Sequence, residues 1–362
     1  MAIEFLMLQG VRNLAPLSIS PSQNVNLIYG ENGSGKTSLL EALYLLSLGR
    51  SFRTHKQKSM IQHEQEAMTA FCKVDGKDLG IERTRAGERR IKLDGEWIKS
   101  AAELATLVPV QLLDPTMFKL LEGSPQLRRQ FLDWGVFHVE HNFISSWRDM
   151  KKCLDARNGL LRRESKSGQP VSEMEKDIWH NQLAEHANNL NKMRQAYLTD
   201  FKPVFDDYMH RLNPELDVTM SSYQGWGKER DYLELLNEQW DSDTKQGFTQ
   251  LGPQRADLRM KVSGQPAMEV LSRGQQKMVV CAMKLAQASL YQKAAGKPCI
   301  FLVDDLAAEL DLKHRNALCG LLEELKCQVF VTAIDASQIA DNWSSKSQIK
   351  RFHVEHGTVN QE

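Results

Sequence analysis

Through residues 1–30 apolar and polar side chains alternate, with Ile3, Phe5 and Met7, then Leu14, Leu17 and Ile19, marking the apolar beat. That period predicts strands and turns. The run Val25-Asn26-Leu27-Ile28-Tyr29 leads into a glycine-rich stretch, and residues 38–48 follow with helix formers up to Gly49, which predicts strand, loop and helix. Residues 67–98 read as short strands hinged at Asp75-Gly76 and Asp94-Gly95. From about residue 125 to about residue 240 the texture becomes polar and helical in period, over 128–139, 144–163 and 172–208. Breaks fall at residues 167–170, 213–214 and 225–227. Beyond about residue 250 strand-like texture returns. Ser272 opens a helix to about Tyr291, 299–303 is a buried strand, 312–325 a helix, 328–333 a second buried strand and 351–357 a last short one. The expected fold is α/β. A discontinuous head of 1–120 and 250–362 carries an inserted helical arm of 121–249, whose helices can pair antiparallel.

Composition narrows the partners. The 46 Lys and Arg balance the 46 Asp and Glu, so any contact with nucleic acid has to come from local patches. The cysteines (Cys72, Cys153, Cys281, Cys299, Cys319 and Cys327) form no Cys-x-x-Cys pair and have no zinc spacing with histidine. Several lie within apolar runs, as core thiols do in a reducing cytosol. No basic segment leads into an apolar core at the N-terminus, and the longest apolar stretches fall short of the roughly 18 residues a membrane span needs. A cytoplasmic protein without a membrane segment is expected.

Chemistry concentrates in three places. Gly30-Glu31-Asn32-Gly33-Ser34-Gly35-Lys36-Thr37 matches the phosphate loop G-x-x-x-x-G-K-[ST] in full, between a strand and a helix. Its glycines let successive N–H groups face phosphate oxygens, and the helix adds its positive end. Lys36 can reach the β- and γ-phosphates of ATP, and the Thr37 hydroxyl can ligate Mg²⁺. In Ile300-Phe301-Leu302-Val303-Asp304-Asp305 an apolar strand runs into two acids. There Asp304 is expected to hold magnesium through water and Asp305 to polarise the attacking water. The third place is Leu271-Ser272-Arg273-Gly274-Gln275-Gln276-Lys277, where Ser272 caps a helix. Amides at that helix start, with the Ser272 hydroxyl, make a second anion site through Ser272, Gly274 and Gln275. One nucleotide needs only one such cradle, so the second site fits a γ-phosphate bound by a partner copy. The expected assembly is a homodimer closed by ATP.

The run from Ser272 to Lys277 resembles the signature motif of ABC-type ATPases, with Arg273 where many members carry glycine. Ala307-Ala308-Glu309-Leu310-Asp311 resembles the loop that crosses the dimer interface in that group. Gln111, in Val108-Pro109-Val110-Gln111-Leu112-Leu113-Asp114-Pro115, resembles the glutamine that senses Mg²⁺, which implies a catalytic and metal-binding role for it. The arm-interrupted order is similar to SMC-type heads, although the arm is too short for a long coiled coil. Nearly end to end the chain resembles the bacterial RecF family. The likeness includes Arg12-Asn13 after the first strand, Gly49-Arg50-Ser51-Phe52-Arg53, Gly123-Ser124-Pro125 before Arg128-Arg129-x-Phe131-Leu132-Asp133, and Leu302 to Asp311. It also includes Gly252-Pro253-Gln254-Arg255-Ala256-Asp257-Leu258, where Gln254 stands for a common His and Ala256 for a common Asp. The resemblance implies an ABC/SMC-type P-loop head, with Arg12 and Asn13 added to the nucleotide site. It further implies a slow, DNA-stimulated ATPase that dimerises on ATP and binds single-stranded or gapped DNA and junctions. Such a protein works with RecO and RecR to load recombinase and supports SOS induction.

Two basic clusters, Arg50, Arg53, Lys56 and Lys58, then Arg83, Arg85, Arg89, Arg90 and Lys92, precede the arm, and Arg128-Arg129 and Arg162-Arg163 add pairs. Aligned on one face they form a phosphate-neutralising groove; dispersed they are a solvated surface. Arg83 and Arg85, two apart on a strand, project from one sheet face. Two other readings stand beside the repair ATPase. A transporter cassette would not carry the arm, and a P-loop kinase would leave the Ser272 motif without a role.

Overall fold

The computed structural model describes residues 1–98, 100–344 and 347–362. The chain forms two compact units. One comprises Met1–Met117, Tyr208–Asn213 and Lys277–Glu362, the other Phe118–Asp207 and Pro214–Gln276.

The first unit contains two sheets, each of six strands among the described residues. In one, Val110–Leu113, Ile300–Val303, Gln328–Ala333, Val25–Tyr29 and Ile349–Glu355 lie side by side and parallel, and Thr358–Gln361 returns antiparallel at the edge. Ile300–Val303 and Gln328–Ala333 are buried at every position, as strands covered on both faces must be. The other sheet is antiparallel, in the order Leu17–Ile19, Ile3–Gln9, Ala67–Val74, Lys77–Thr84, Arg89–Leu93 and Glu96–Ile98. Its hairpins turn at Asp75-Gly76 and Asp94-Gly95, all four residues with positive φ, the geometry of a type I′ turn. Helix Lys36–Leu48 shares one core with both sheets. Its Leu39, Leu40, Leu43 and Leu46 pack with Leu6, Leu8 and Ala70 of one and Ile28, Leu302 and Phe330 of the other. Each such leucine contributes about 2 kcal/mol by leaving water. The helix stops at Gly49, whose left-handed φ of 64° lets its N–H reach the Leu45 carbonyl.

The second unit holds helices Pro125–Val139, Phe143–Ser167, Tyr232–Glu238 and Trp240–Gln246 and most of the long helix Glu173–Leu212. It is not purely helical. Thr219–Tyr223, Asp257–Val262 and Gln265–Pro266 form a small antiparallel sheet. That pairing keeps residues 257–266 in this unit, so the chain rejoins the first unit at Lys277, where the sequence places the return at residue 250. Among the described residues no helix is long and apolar enough to cross a membrane.

A charged knot lies inside the second unit. Arg157 is 0% exposed. Its guanidinium donates to Asp243 at 2.7 Å, to Thr249 at 2.8 Å, to the Leu236 carbonyl at 2.9 Å and to His180 Nε2 at 3.0 Å. Because Nε2 accepts, the His180 proton sits on Nδ1, which faces Asn237 Oδ1 at 2.6 Å. Burial pushes His180 down to about 4 from its ordinary 6.5, against the pull of the Asn237 hydrogen bond. The unfolded chain therefore binds the proton first as pH falls. Stability is full above pH 6.5 and declines between 6.5 and 4, by about 1.4 kcal/mol per pH unit inside that window. Denaturation midpoints at pH 7 and pH 5 check this; a flat profile contradicts the buried neutral imidazole.

Candidate functional site

The glycine loop leaves Val25–Tyr29 and enters helix Lys36–Leu48 through a backbone that side chains would obstruct. Gly30 has φ 148°, and a Cβ there would lie 2.1 Å from the Val354 carbonyl oxygen. Gly35 has φ 124°, with Leu14 2.7 Å from the same construction. Asn13 ties the loop from outside. Its Nδ2 donates to the Gly33 carbonyl at 3.1 Å, and its Oδ1 accepts from Ser38 Oγ at 3.0 Å. Lys36 Nζ donates to the carbonyls of Gly30 at 2.6 Å and Glu31 at 2.9 Å. Burial pushes this ammonium below its ordinary value, opposed by the carboxylates of Asp305 and Asp304.

The parallel sheet brings the acids to the loop. Thr37 Oγ1 lies 3.1 Å from both carboxylate oxygens of Asp304 and donates to them. Thr332, on the neighbouring strand, donates to Asp304 Oδ1 at 2.8 Å and accepts from the Asp305 N–H at 2.8 Å. Burial pushes the Asp304 carboxyl up, and the Thr332 and Thr37 hydroxyls oppose it. Asp305 sits in the left-handed region at φ 54° and starts the one-turn helix Leu306–Glu309. An open cleft of about 630 Å³ joins these parts. It is lined by Arg12, Asn13, Asn32, Gly33, Gly35, Lys36 and Thr37 of the expected residues, with Asp304 and Asp305. Gly30, Glu31 and Ser34 contribute as loop backbone. A hydroxyl facing one carboxylate is a hard-oxygen donor set that suits Mg²⁺ completed by phosphate oxygens. Among the described residues no group of three or more His, Cys, Asp or Glu could hold a metal ion by itself.

Other expectations need correction. Gln111 is 1% exposed and its Nε2 donates to Gln287 at 3.2 Å. It pairs with Phe301, inside the sheet, whereas Leu113 pairs with Val303 just before Asp304. Strand register therefore keeps Gln111 from the cleft. Asp114, just past the strand end, is pushed up by burial, with the charge of Asp304 adding to the push. Arg12 lines the cleft, yet its guanidinium is engaged by Glu41 at 2.8 and 2.9 Å and by the Ser59 carbonyl at 2.7 Å.

Glu41 was not anticipated. It is fully buried on the loop helix and gathers Arg12, Ser51 and Arg53, the last at 3.7 Å. The available signal was a lone acid in the apolar run Leu39-Leu40-Glu41-Ala42-Leu43. Arg53, expected among DNA contacts, lines the cleft.

Several basic residues hold structure together. Arg83 donates to the Gly49 carbonyl. Arg85 donates to Gln65 at 2.6 Å and Gln62 at 2.8 Å. Arg128 pairs with Asp257 at 2.7 Å and Arg129 donates to the Ala256 carbonyl. The one-face groove built on Arg83 and Arg85 is thereby weakened.

In the second unit Ser272 and Gln275 form a reciprocal cap. The Ser272 N–H donates to Gln275 Oε1 at 2.9 Å, and the Gln275 N–H donates to Ser272 Oγ at 3.3 Å. Ser272 is exposed and Gln275 half-buried, and nothing lies within 4 Å of a Cβ built on Gly274. Arg273 turns aside to Glu122 at 2.9 Å and lies over the Phe118 ring.

The chain matches the sequence family described as RecF/RecN/SMC N terminal domain over residues 2–360. It is 47% identical to the DNA replication and repair protein RecF of Stutzerimonas stutzeri, covering 100% of this chain and 98% of that protein. The RecF protein of Pseudomonas aeruginosa is 46% identical over the same shares. A solved structure of the recombination mediator protein RecF with ATP, in the RecFOR pathway, superposes with a TM-score of 0.87 at 24% identity, covering 100% and 97% of the two chains. The Smc head domain of Pyrococcus furiosus bound to ScpA gives 0.57 at 17% identity over 100% and 96%, a likeness of fold.

Proposed function

Because the chain belongs to the RecF/RecN/SMC N-terminal domain family, and within it to the RecF group, we propose that it is an ATP-dependent DNA-binding ATPase of recombinational gap repair. The observation that carries this reading is Thr37 set against Asp304 at 3.1 Å, with Asp305 next along the chain, at the mouth of a complete phosphate loop. A triphosphate would accept from N–H groups of the glycine loop and from Lys36, while the N–H groups of Gly30 and Ser34 stay with the Ile334 and Glu31 carbonyls. Thr37 and Asp304 would hold Mg²⁺, which neutralises phosphate charge when bound. Asp305 orients a water for attack on the γ-phosphorus, with ADP as leaving group.

Ser272, Gly274 and Gln275 are proposed to complete the site of a second copy, so that ATP closes a homodimer. The closed dimer is proposed to bind single-stranded, gapped or junction DNA in the cytoplasm, to act with RecO and RecR in recombinase loading, and to support SOS induction. The printed names of the relatives, DNA replication and repair protein RecF and a mediator in the RecFOR pathway, favour that assignment.

Ser272→Ala is expected to leave ATP affinity within about threefold of wild type and to abolish ATP-driven dimers in sedimentation. A wild-type dimer fraction would refute the shared nucleotide. Asp305→Asn is expected to bind ATP normally and to lose at least about a hundredfold in turnover, in the range for removing a group that moves or orients a proton. Its complex with gapped DNA and ATP then decays more slowly than that of the wild type. Rapid release from DNA, followed by anisotropy, counts against the role of Asp305.

A further inference from the structure

We propose that the ion pair between Lys277 and Glu309 is a positioning device, tying the helix that Ser272 opens to the loop that carries Asp305. The inference rests on the ATPase reading above and adds to it a route between the signature helix and the water-orienting acid.

Lys277 Nζ lies 2.7 Å from the Glu309 carboxylate and donates to the Glu309 carbonyl at 3.1 Å. The two side chains are 18% and 17% exposed, so the pair is shielded from water and salt far more than a surface pair. Glu309 ends the single turn Leu306–Glu309, and Asp305 caps its start at φ 54° and ψ 48°. Within that turn the N–H groups of Ala308 and Glu309 donate to the Asp305 carbonyl at 3.1 and 3.2 Å. The turn is therefore a short rigid lever. Thr332 holds one end through the Asp305 N–H, and Lys277 holds the other through both polar groups of Glu309.

Lys277 stands on helix Arg273–Ala295, about 7 Å along the axis from the Ser272 cap at 1.5 Å per residue. A helix transmits axial displacement with little loss. A pull on Ser272 by a neighbour's phosphate reaches Glu309 through Lys277, and the lever turns it into a movement of Asp305. Reaction rates respond steeply to such shifts. In a symmetric dimer the sequence of contacts makes each site report its closure to the other.

The test compares Lys277→Met, Glu309→Gln and the exchanged pair Lys277→Glu with Glu309→Lys, using ATP, Mg²⁺ and gapped DNA. Expected for either single variant is a KM and an ATP-driven dimer fraction within about twofold of wild type. The kcat drops about tenfold or more, and the Hill coefficient for ATP moves toward one. The exchanged pair recovers part of the kcat. Wild-type kcat in both single variants overturns the inference. So does a loss confined to thermal stability, which assigns the pair to folding alone. The wild type is measured in the same series. A wild type that neither dimerises nor turns over overturns the ATPase reading together with this one, whereas a wild type that does both beside unaffected variants overturns this one alone.

Discussion

Replacing Lys36 with alanine weakens ATP binding by about two orders of magnitude. The ammonium sits at the loop mouth within reach of the Gly30 and Glu31 carbonyls and lines the cleft with Thr37 and Asp304. A hydrogen bond to a charged group contributes about 1.5–3 kcal/mol, and every 1.4 kcal/mol is tenfold in affinity. One lysine serving phosphate oxygens thus accounts for a factor near a hundred. Burial already disfavours the charged form of Lys36, so an anion brought beside it relieves an existing cost. Lys36→Arg keeps the charge but replaces a compact ammonium with a planar fork that the loop is not shaped to hold, and recovers only part of the affinity. Titration with a fluorescent nucleotide measures both variants. An alanine variant that binds ATP like the wild type removes the loop from the site.

Arg157→Ala destabilises the second unit by about 3–5 kcal/mol, the range for breaking a buried ion pair from one side. The loss is not the value of the pair itself. Asp243 is 1% exposed and is left inside the unit without its cation once Arg157 is gone. Thr249 and the Leu236 carbonyl lose a donor at the same time. Removing both charges with Arg157→Met and Asp243→Leu is therefore less damaging than removing Arg157 alone, because no orphaned carboxylate remains. Denaturant unfolding followed by tryptophan fluorescence reads the result, since Trp240 lies against the Arg157 guanidinium. A single variant as stable as the double one contradicts this account.

The glycine loop, its flanking strand and helix, and the pair Asp304-Asp305 were legible from residue order. Each depends on neighbours in the chain: glycines where φ must be positive, apolar runs where a strand is covered on both faces, a lysine and a threonine at fixed offsets. Glu41 and Gln111 show where that reasoning stops. Both are polar residues in apolar surroundings. One gathers two arginines and a serine beside the cleft, and the other is held by Gln287 inside the fold. Residue type does not distinguish them; the register of the strand and the facing of the helix do. The partners of Arg83 and Arg85 were illegible for a related reason. Charge is visible in a sequence, but a guanidinium bound to a carbonyl far along the chain, as Arg83 is to Gly49, is not.

Residue order by itself determined that this chain folds as an α/β head with a helical insertion and that it carries a phosphate loop followed, far downstream, by paired acids. Those features are local, because backbone sterics and periodicity act over a few residues. Tertiary structure alone decided that Thr37 meets Asp304, that Thr332 and Lys277 brace the loop of Asp305, and that residues 257–266 stay with the insertion. Such contacts join segments tens to hundreds of residues apart. They follow from which strands lie side by side, and nothing in either segment alone records its neighbour.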